Sequence, residues 1–288
     1  MDQFLEIAIG TFTMRPYVFA FLGAFLLACV PHVGWGRTLA FTVVAYLIAF
    51  SSEWLSINTG FPYGWYYYID TTKTHELWIA GVPFFDSLSY VFLTYCSYTT
   101  ALFILSPLKS WRWNLITLET RKIRRSVSAL ILGAFLQTFL DIVIDPVALQ
   151  GHRWFLGQIY GYREAGIHFG VPLSNYGGWL LTSLVLVAAF QLIDARRLND
   201  APKGVFNLPF RSLLGPVLYL SVLLFNWAVT LWIGETFMAL TGILMYTLPL
   251  VMVVILALNR VNRYTKDEFG DHVRDYPWSP AARTPSNF

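Results

Sequence analysis

The sequence predicts an all-α membrane protein, a polytopic helical bundle with about seven spans. Its mean hydropathy is +0.53, and 56% of its residues are hydrophobic while only 13% are charged. Charged residues make up about a quarter of an ordinary soluble domain, so this chain is too apolar to be one. The apolar stretches are long and continuous, which favours spanning helices over the alternating strands of a transmembrane barrel.

Seven apolar stretches are long enough to cross the hydrocarbon core, which takes about 20 helical residues. They cover residues 17–33, 38–55, 84–106, 127–149, 177–193, 213–233 and 237–258. Pro16 suits either a span or an interfacial helix, so both interpretations stay open for the first stretch. We expect a short amphipathic surface helix over residues 1–14. Residues 1–258 are then a single transmembrane helical domain, followed by a cytoplasmic tail over residues 259–288.

The distribution of lysine and arginine predicts the orientation of the bundle. Basic residues are concentrated after the third, fifth and seventh spans. They are Lys109, Arg112, Arg121, Lys122, Arg124, Arg125, Arg196, Arg197, Lys203, Arg211, Arg260, Arg263, Lys266 and Arg274. The two long loops on the other side, residues 56–83 and 153–172, carry only Lys73, Arg153 and Arg163. We therefore expect a protein of the inner cell membrane, with its C-terminus in the cytoplasm and its N-terminus outside.

The two long loops share a sequence pattern. Each contains a Tyr-Gly-aromatic stretch, then Gly-Val-Pro, then Asp86 or Asn175 three residues after the proline. The Gly-Val-Pro copies lie 89 residues apart, and the same step back from Asp141 ends beside Glu53. Gly-Val-Pro alone is also an ordinary helix-start signal. The matched features together predict a parallel repeat, in which spans 2–3 and 4–5 are related by an axis along the membrane normal.

Three carboxylates inside the spans are the catalytic candidates. An ionisable residue there costs about 2.5–3.5 kcal/mol on insertion scales, and is functional by default. Glu53 lies near the end of the second span, and Asp141 and Asp145 lie one turn apart on one face of the fourth. The structural alternative is an ion pair with Arg153 or Arg163. Neighbouring carboxylates in a low-dielectric pocket suit a division of labour, one as acid and another as base toward water.

Other polar residues near these carboxylates have two interpretations. Asp86 and Asn175 open spans three and five, where they fit helix caps as well as site residues. Glu235 lies in a very short turn, so we expect it to be solvated.

Aromatic residues make up 17% of the chain and are dense in the two long loops. An interfacial belt accounts for most of them, yet their density beside the carboxylates exceeds that need. Aromatic faces suit both an apolar polyene and a cationic intermediate. The candidate substrate-binding residues are Trp54, Tyr63, Trp65, Tyr66, Asp86, Trp154, Tyr160, Tyr162, Asn175 and Trp179.

The motifs that are absent narrow the chemistry. The five histidines include no pair at i+3 or i+4, whereas a membrane di-iron enzyme needs clustered histidines. There is no G-x-S-x-G, P-loop or G-x-G-x-x-G motif. The net charge of +3 comes from short loops and does not indicate nucleic acid. We expect no metal and no cofactor, and chemistry limited to hydration, isomerisation or proton movement.

Several of these stretches resemble the membrane carotenoid hydratase family, whose members hydrate γ-carotene, lycopene or bisanhydrobacterioruberin. The matching residues are Ser52-Glu53-Trp54-Leu55, Thr59-Gly60-Phe61-Pro62-Tyr63-Gly64-Trp65-Tyr66-Tyr67-Tyr68, Gly81-Val82-Pro83, Asp141, Asp145-Pro146, Gly151-His152-Arg153-Trp154, Gly161-Tyr162 and Gly170-Val171-Pro172-Leu173-Ser174-Asn175-Tyr176-Gly177-Gly178-Trp179. The chain departs from the family at Phe84-Phe85-Asp86-Ser87, which replaces a more uniformly apolar helix start.

The resemblance implies a carotenoid biosynthesis enzyme in the lipid bilayer, a hydro-lyase that adds water across the C1–C2 double bond of an acyclic ψ-end group. Its substrate would be lycopene, γ-carotene or a related polyene. We hypothesise protonation at C2, a tertiary cation at C1 stabilised by aromatic faces, and water positioned by a second carboxylate. Glu53, Asp141 and Asp145 would share these roles. A carotenoid is about as long as the roughly 30 Å hydrocarbon core, so its end group would lie near an interface.

Two other functions remain open. Asp141-x-x-x-Asp145 is similar to the aspartate motifs of magnesium-dependent membrane prenyltransferases, which need a second acidic motif in the same cavity. Only Asp194 and Asp200 offer one, and they belong to the opposite side of the membrane. A proton-coupled carrier would use the acids as a relay between the repeats, but it lacks acidic partners in the other halves of the spans.

Overall fold

The computed structural model describes residues 2–195, 203–206 and 208–284, with side chains from residue 5. Arg196, Arg197 and Asp200 lie outside the described residues. The helices are α1 (Asp2–Met14), α2 (Pro16–Val33), α3 (Trp35–Thr59), α4 (Phe84–Leu105), α5 (Arg121–Arg124), α6 (Val127–Leu149), α7 (Leu173–Asp194), α8 (Arg211–Trp232), α9 (Thr236–Arg260) and α10 (Lys266–Asp275). The strands are β1 (Tyr66–Tyr68), β2 (Trp78–Ile79), β3 (Val82–Pro83), β4 (Leu108–Trp111), β5 (Asn114–Thr117) and β6 (Tyr160–Tyr162).

Among the residues that the structure describes, seven helices are long and apolar enough to cross a membrane, namely α2, α3, α4, α6, α7, α8 and α9. The predicted all-α polytopic bundle is therefore confirmed. The first apolar stretch forms an 18-residue helix and has the length and composition of a span. Before it, α1 is a separate short helix that exposes Leu5, Ile9 and Phe12, as expected of a helix at the surface.

The helices α3, α4, α6 and α7 form a central ring. The contacts run α3–α4, α4–α6, α6–α7 and α7–α3. On one side of this ring, α2 and α8 pack together over α4, and α9 packs on α8. The span of α4 is 78% buried, whereas that of α9 is 17% buried. The ring is therefore the core, and α9 has a largely lipid-facing surface.

The backbone supports the predicted repeat. Ala80-Gly81 have φ angles of 46° and 86°, and the equivalent pair Phe169-Gly170 have 50° and 89°. In both copies the proline that follows is the N-cap of a ring helix, which is why α7 starts earlier than the hydropathy predicted. The strands of the two long loops pair antiparallel, with Tyr66 opposite Tyr162.

The end of the bundle with residues 56–83 and 153–172 is the loop end, and the end with residues 106–126 is the basic end. At the basic end, the described part of the C-terminal segment folds against the bundle. His272 Nδ1 bonds the backbone oxygen of Glu119 at 2.6 Å, and Nε2 bonds Ser279 Oγ at 2.7 Å. Because a backbone oxygen only accepts, Nδ1 carries the proton and Nε2 accepts from the serine hydroxyl.

A buried ionic network joins several elements at the basic end. Arg124 donates to Glu119 at 2.7 Å and to Asp194 at 2.9 Å, and Asp194 also accepts from Arg37 at 3.0 Å. Burial opposes the charge of Glu119, but Arg124 and His32 outweigh it and hold the pKa of Glu119 well below its usual range. The network therefore ties α3 and the end of α7 to the short α5.

We expect Arg124→Ala to destabilise the fold by about 3–5 kcal/mol, because it removes the arginine that pairs with Glu119 and leaves Asp194 with Arg37 alone. Arg274→Ala is the matched control, since Arg274 and its partner Asp271 have exposed fractions of 72% and 49% and exposed pairs contribute little. The measurement is the thermal unfolding midpoint of the purified protein in detergent. Equal unfolding midpoints for the two variants would show that the ionic network does not contribute to the stability of the fold.

Candidate active site

The strands β1 and β6, which carry four tyrosines, form a small sheet over the loop end of the ring. Successive strand residues point to opposite faces, so Tyr66 and Tyr68 of β1 share one face with Tyr160 and Tyr162 of β6. Their ring centroids lie 5.3–6.5 Å apart, mostly edge to face, and Tyr67 on the other face is 49% exposed. The alternation of the loop sequence thus directs four hydroxyl groups inward.

Beneath this sheet lies a cavity of about 130 Å³ between α2, α3, α4, α6, α7 and α8. Its polar lining includes Glu53, Asp86, Asp141, Asp145 and Asn175. The three predicted catalytic carboxylates are therefore brought together from α3 and α6, and all three are buried.

Asp141 and Asp145 share one amide donor but differ in their other partners. Asn175 Nδ2 donates to Oδ2 of both aspartates, at 2.9 Å each. Asp145 also accepts from Tyr162, at 2.5 Å, and from Tyr160. In contrast, the buried Asp141 Oδ1 has no hydrogen-bond partner within the part of the chain that the structure describes. Asp145 is thus held by three donors, while one oxygen of Asp141 stays available.

The tyrosines act as donors because they keep their protons. Burial and the neighbouring Asp145 carboxylate raise the pKa of Tyr160 and Tyr162 well above its ordinary value of 10. Both hydroxyls therefore remain protonated at any physiological pH, and each can donate to the carboxylate at all times.

The first repeat places its own polar groups on the opposite wall. Ser87 donates to Glu53 Oε2, and Tyr68 donates to Asp86 Oδ2 at 2.6 Å. The side chain of Asp86 accepts from Tyr68 and that of Asn175 donates to Asp141 and Asp145, so the hydrogen bonds of both side chains among the described residues go to other side chains and not to the first turns of α4 or α7. Of their two interpretations, the structure therefore favours site residues over helix caps, and both point toward the cavity.

The loop arginines do not neutralise the acids. Arg153 pairs with Glu235, whose side chain is 33% exposed, so Glu235 is partly solvated and also the partner of a loop arginine. The turn between α8 and α9 places the start of α9 next to residues 151–153, and the local sequence does not indicate this contact. Arg163 lies over the ring of Trp65 at 4.2 Å. A buried cation that the sequence did not reveal is Arg15, which lies before α2 and pairs with Glu76 at 3.3 Å.

Most of the predicted substrate-binding residues line the cavity. They are Tyr63, Tyr66, Asp86, Trp154, Tyr160, Tyr162, Asn175 and Trp179. Trp54 and Trp65 do not line it, and their exposed fractions are 42% and 43%. Trp54 follows Glu53 on a helix, and Trp65 precedes Tyr66 at the start of a strand. In a helix and in a strand alike, the side chains of two consecutive residues point in different directions.

Several lining residues were missed by the sequence interpretation. Tyr90 lies one turn after Asp86 on the same face of α4, and its ring stacks on Trp179 at 4.4 Å. Asn226 is a buried amide inside an apolar span, so the rule that singled out the carboxylates could have found it. The sequence also did not indicate that α2 and α8 supply lining residues such as Tyr17, because apolar residues in a span do not reveal which helix they face.

The fold and the site together define a class of protein: a multi-pass membrane protein with a buried carboxylate cavity walled by aromatic rings. More particularly, the chain belongs to the carotenoid biosynthesis protein family, whose sequence profile matches residues 10–249. This range contains every carboxylate and tyrosine of the cavity, and it confirms the family that the sequence motifs indicated.

A known relative agrees with this assignment. A bisanhydrobacterioruberin hydratase from Haloarcula japonica is 29% identical over 198 residues, which cover 67% of this chain and 57% of the relative. The chain therefore spans less than two thirds of that relative's length. No solved structure matches the chain. The family gives the protein a role in carotenoid biosynthesis.

Proposed function

We propose that this protein hydrates the C1–C2 double bond of an acyclic carotenoid ψ-end group, producing a tertiary 1-hydroxyl without a cofactor. The observation that carries the proposal is the convergence of Glu53, Asp141 and Asp145 on one buried cavity whose remaining lining is mostly apolar and aromatic, with Asp86, Ser89, Asn175 and Asn226 as its other polar side chains. Their hydrogen-bond partners are neutral side chains, so the carboxyl groups are available for proton transfer. The hydratase relative supports the same reaction class.

The size of the cavity fits the end of a carotenoid. An engineered apolar cavity of about 150 Å³ holds one benzene molecule, and this cavity measures about 130 Å³. It therefore suits a terminal isoprene unit with a water molecule nearby, and most of the polyene must lie outside it. Lycopene, γ-carotene and bisanhydrobacterioruberin all offer such an end.

We infer a role for each carboxyl group from the way its hydrogen-bond partners differ. Two adjacent carboxylates are costly to ionise together in a low dielectric, so the pair holds one proton. Three donors favour the charged form of Asp145, and the proton therefore resides on Asp141, whose Oδ1 has no partner. In this proposal Asp141 is the acid and Asp145 positions it. Glu53, on the opposite wall, is the base toward water.

The reaction then balances without another reactant. The π electrons of C1=C2 take the Asp141 proton and form a C2–H bond, which leaves a tertiary cation at C1. The faces of Tyr66 and Trp179 stabilise this cation. Water attacks C1 and gives its proton to Glu53, and transfer of that proton back to Asp141 restores the site. The net change is the addition of one water molecule.

The other two functions gain no support. Asp194, the second acidic residue that a prenyltransferase would use, binds Arg37 and Arg124 at the basic end. No cluster of three or more His, Cys, Asp or Glu suited to a metal occurs within residues 2–195, 203–206 and 208–284.

For the orientation, we propose an inner-membrane protein with the basic end in the cytoplasm, because the loop charges favour it.

The test is expression in a bacterium that produces lycopene, followed by mass analysis of its pigments against an empty vector. We expect a gain of one or two water molecules, and parallel strains that make γ-carotene or bisanhydrobacterioruberin identify the preferred substrate. Chelation of magnesium in isolated membranes should leave conversion unchanged, unlike that of a prenyltransferase. An unchanged pigment mass with every acyclic carotenoid would refute the proposed function.

A further inference from the structure

The cavity has an apolar arm beside its acidic end. The arm is the part of the cavity between α2, α4 and α8. The side chains that line it are Tyr17, Phe21, Phe92, Leu93, Val222 and Phe225. All six are apolar or aromatic, and the polar side chains that α4 and α8 supply to the same cavity are Asp86, Ser89 and Asn226 among the described lining residues. This part of the cavity is therefore suited to hydrocarbon and not to the reacting groups.

A row of aromatic contacts connects the arm to the surface of the bundle. Phe92 is buried and lies 5.5 Å from Phe21, ring centroid to ring centroid. Phe21 is 5.6 Å from Phe225, which stacks on Tyr17 at 5.1 Å. Tyr17 in turn lies 5.6 Å from Phe155, whose side chain is 48% exposed. The row follows the seam between α2 and α8 from the interior to the surface of the bundle at its loop end.

The opposite face of the ring is closed toward the cavity. A lipid-facing groove runs there between α3 and α7, and Ser52 and Thr182 line its floor. The hydroxyl of Tyr63 is bonded to both, at 2.8 and 3.0 Å, while Tyr63 also lines the cavity. The side chain of Tyr63 is thus a hydrogen-bonded partition between groove and cavity. Along the described part of the α2–α8 seam, the contacts beside the cavity are aromatic, and the hydrogen bond from Arg211 to the Pro31 carbonyl oxygen lies at the basic end.

We propose that the seam between α2 and α8 is a lateral portal, in which the conjugated chain of the substrate lies against Tyr17, Phe21 and Phe225 while its end group reaches the acids. This inference rests on the proposed function. The occupant is a polyene because the cavity holds only a terminal unit, and the rest of an apolar chain must pass into the lipid. Flat ring faces pack well against a flat conjugated chain.

The test compares Phe225→Leu with Phe135→Leu in purified protein, assayed with lycopene in detergent. Phe225→Leu keeps an apolar side chain, so the fold is retained, but it removes the ring from the portal. We expect its KM to rise about fivefold while kcat changes less than twofold, because the ring touches the chain and not the reacting atoms. Phe135, 54% exposed on α6 and paired with Phe139, is the matched lipid-facing control and should leave both constants unchanged.

A second measurement reports binding without turnover. Each substitution is added to the inactive Asp141→Asn variant, and the carotenoid that copurifies from lycopene-producing cells is quantified by its absorbance per protein. We expect Phe225→Leu to reduce the retained pigment at least threefold and Phe135→Leu to retain all of it. If the unsubstituted protein neither converts nor retains carotenoid, the proposed function itself fails. If it does both and the two leucine variants behave alike, only the portal is overturned.

Discussion

Hydration activity should fall by about 10²–10⁴-fold in the Asp141→Asn variant, which is the range that general acid catalysis contributes. Asparagine keeps the size of the side chain and can still bond Asn175, but it has no proton of suitable acidity at the unpartnered oxygen. The measurement is the rate of water addition to lycopene by purified protein, with mass analysis of the products. Yield and elution in size-exclusion chromatography report whether the variant remains folded.

Asp145→Asn is the comparison that separates the acid from the group that positions it. The substitution removes the charge that keeps the proton on Asp141, yet Asp141 itself remains. We expect a smaller loss, about tenfold in kcat, together with a changed pH dependence of the rate. A larger loss for Asp145→Asn than for Asp141→Asn would reverse the assignment, and full activity in both would remove α6 from the site.

The second large effect is expected for Glu53→Gln. Glutamine can still accept from Ser87 but cannot take a proton from water, so the step that forms the C1–O bond loses its base. We expect turnover to fall by about 10²–10³-fold, with little change in KM because the carboxylate contacts the water and not the polyene. The rate of water addition, measured as for Asp141→Asn, checks this expectation.

Ser87→Ala is the matched control for Glu53→Gln. It removes the hydroxyl that orients Glu53 and leaves the carboxylate in place, so we expect a loss of about tenfold or less. If Glu53→Gln retained the activity of Ser87→Ala, the base would lie elsewhere on the cavity wall. The role of Asp86, which is held by Tyr68 on the same wall, would then need the same test.

Much of the fold followed from the sequence because the bilayer imposes strict rules on a spanning chain. Residues 127–149 were predicted as a span and form α6 with those bounds. The start of α7 was predicted four residues late, since hydropathy does not register the polar first turn that Pro172 caps. The basic loops and the repeated Gly-Val-Pro segments were visible because charge and backbone conformation are encoded locally.

The candidate site was only partly accessible from the sequence. The cost of a carboxylate in hydrocarbon singled out Glu53, Asp141 and Asp145, and their catalytic roles stay predictions. Whether Asp86 and Asn175 were caps or site residues depended on where their side chains point, which local sequence leaves open. Trp54 and Trp65 were included because they belong to the dense aromatic segments beside the carboxylates, but each is next in the chain to a cavity residue and its side chain therefore points to a different face.

A helical membrane protein of a carotenoid biosynthesis family could be recognised from the amino-acid sequence, because hydropathy, loop charge and short motifs are local properties. How the acids differ from one another became visible in the folded protein. Asn175 of α7 and two tyrosines of β6 converge on Asp145, whereas one oxygen of Asp141 has no partner among the described residues. Such differences arise from contacts between segments that are distant in the chain. These contacts depend on how the apolar helices pack, which composition does not predict.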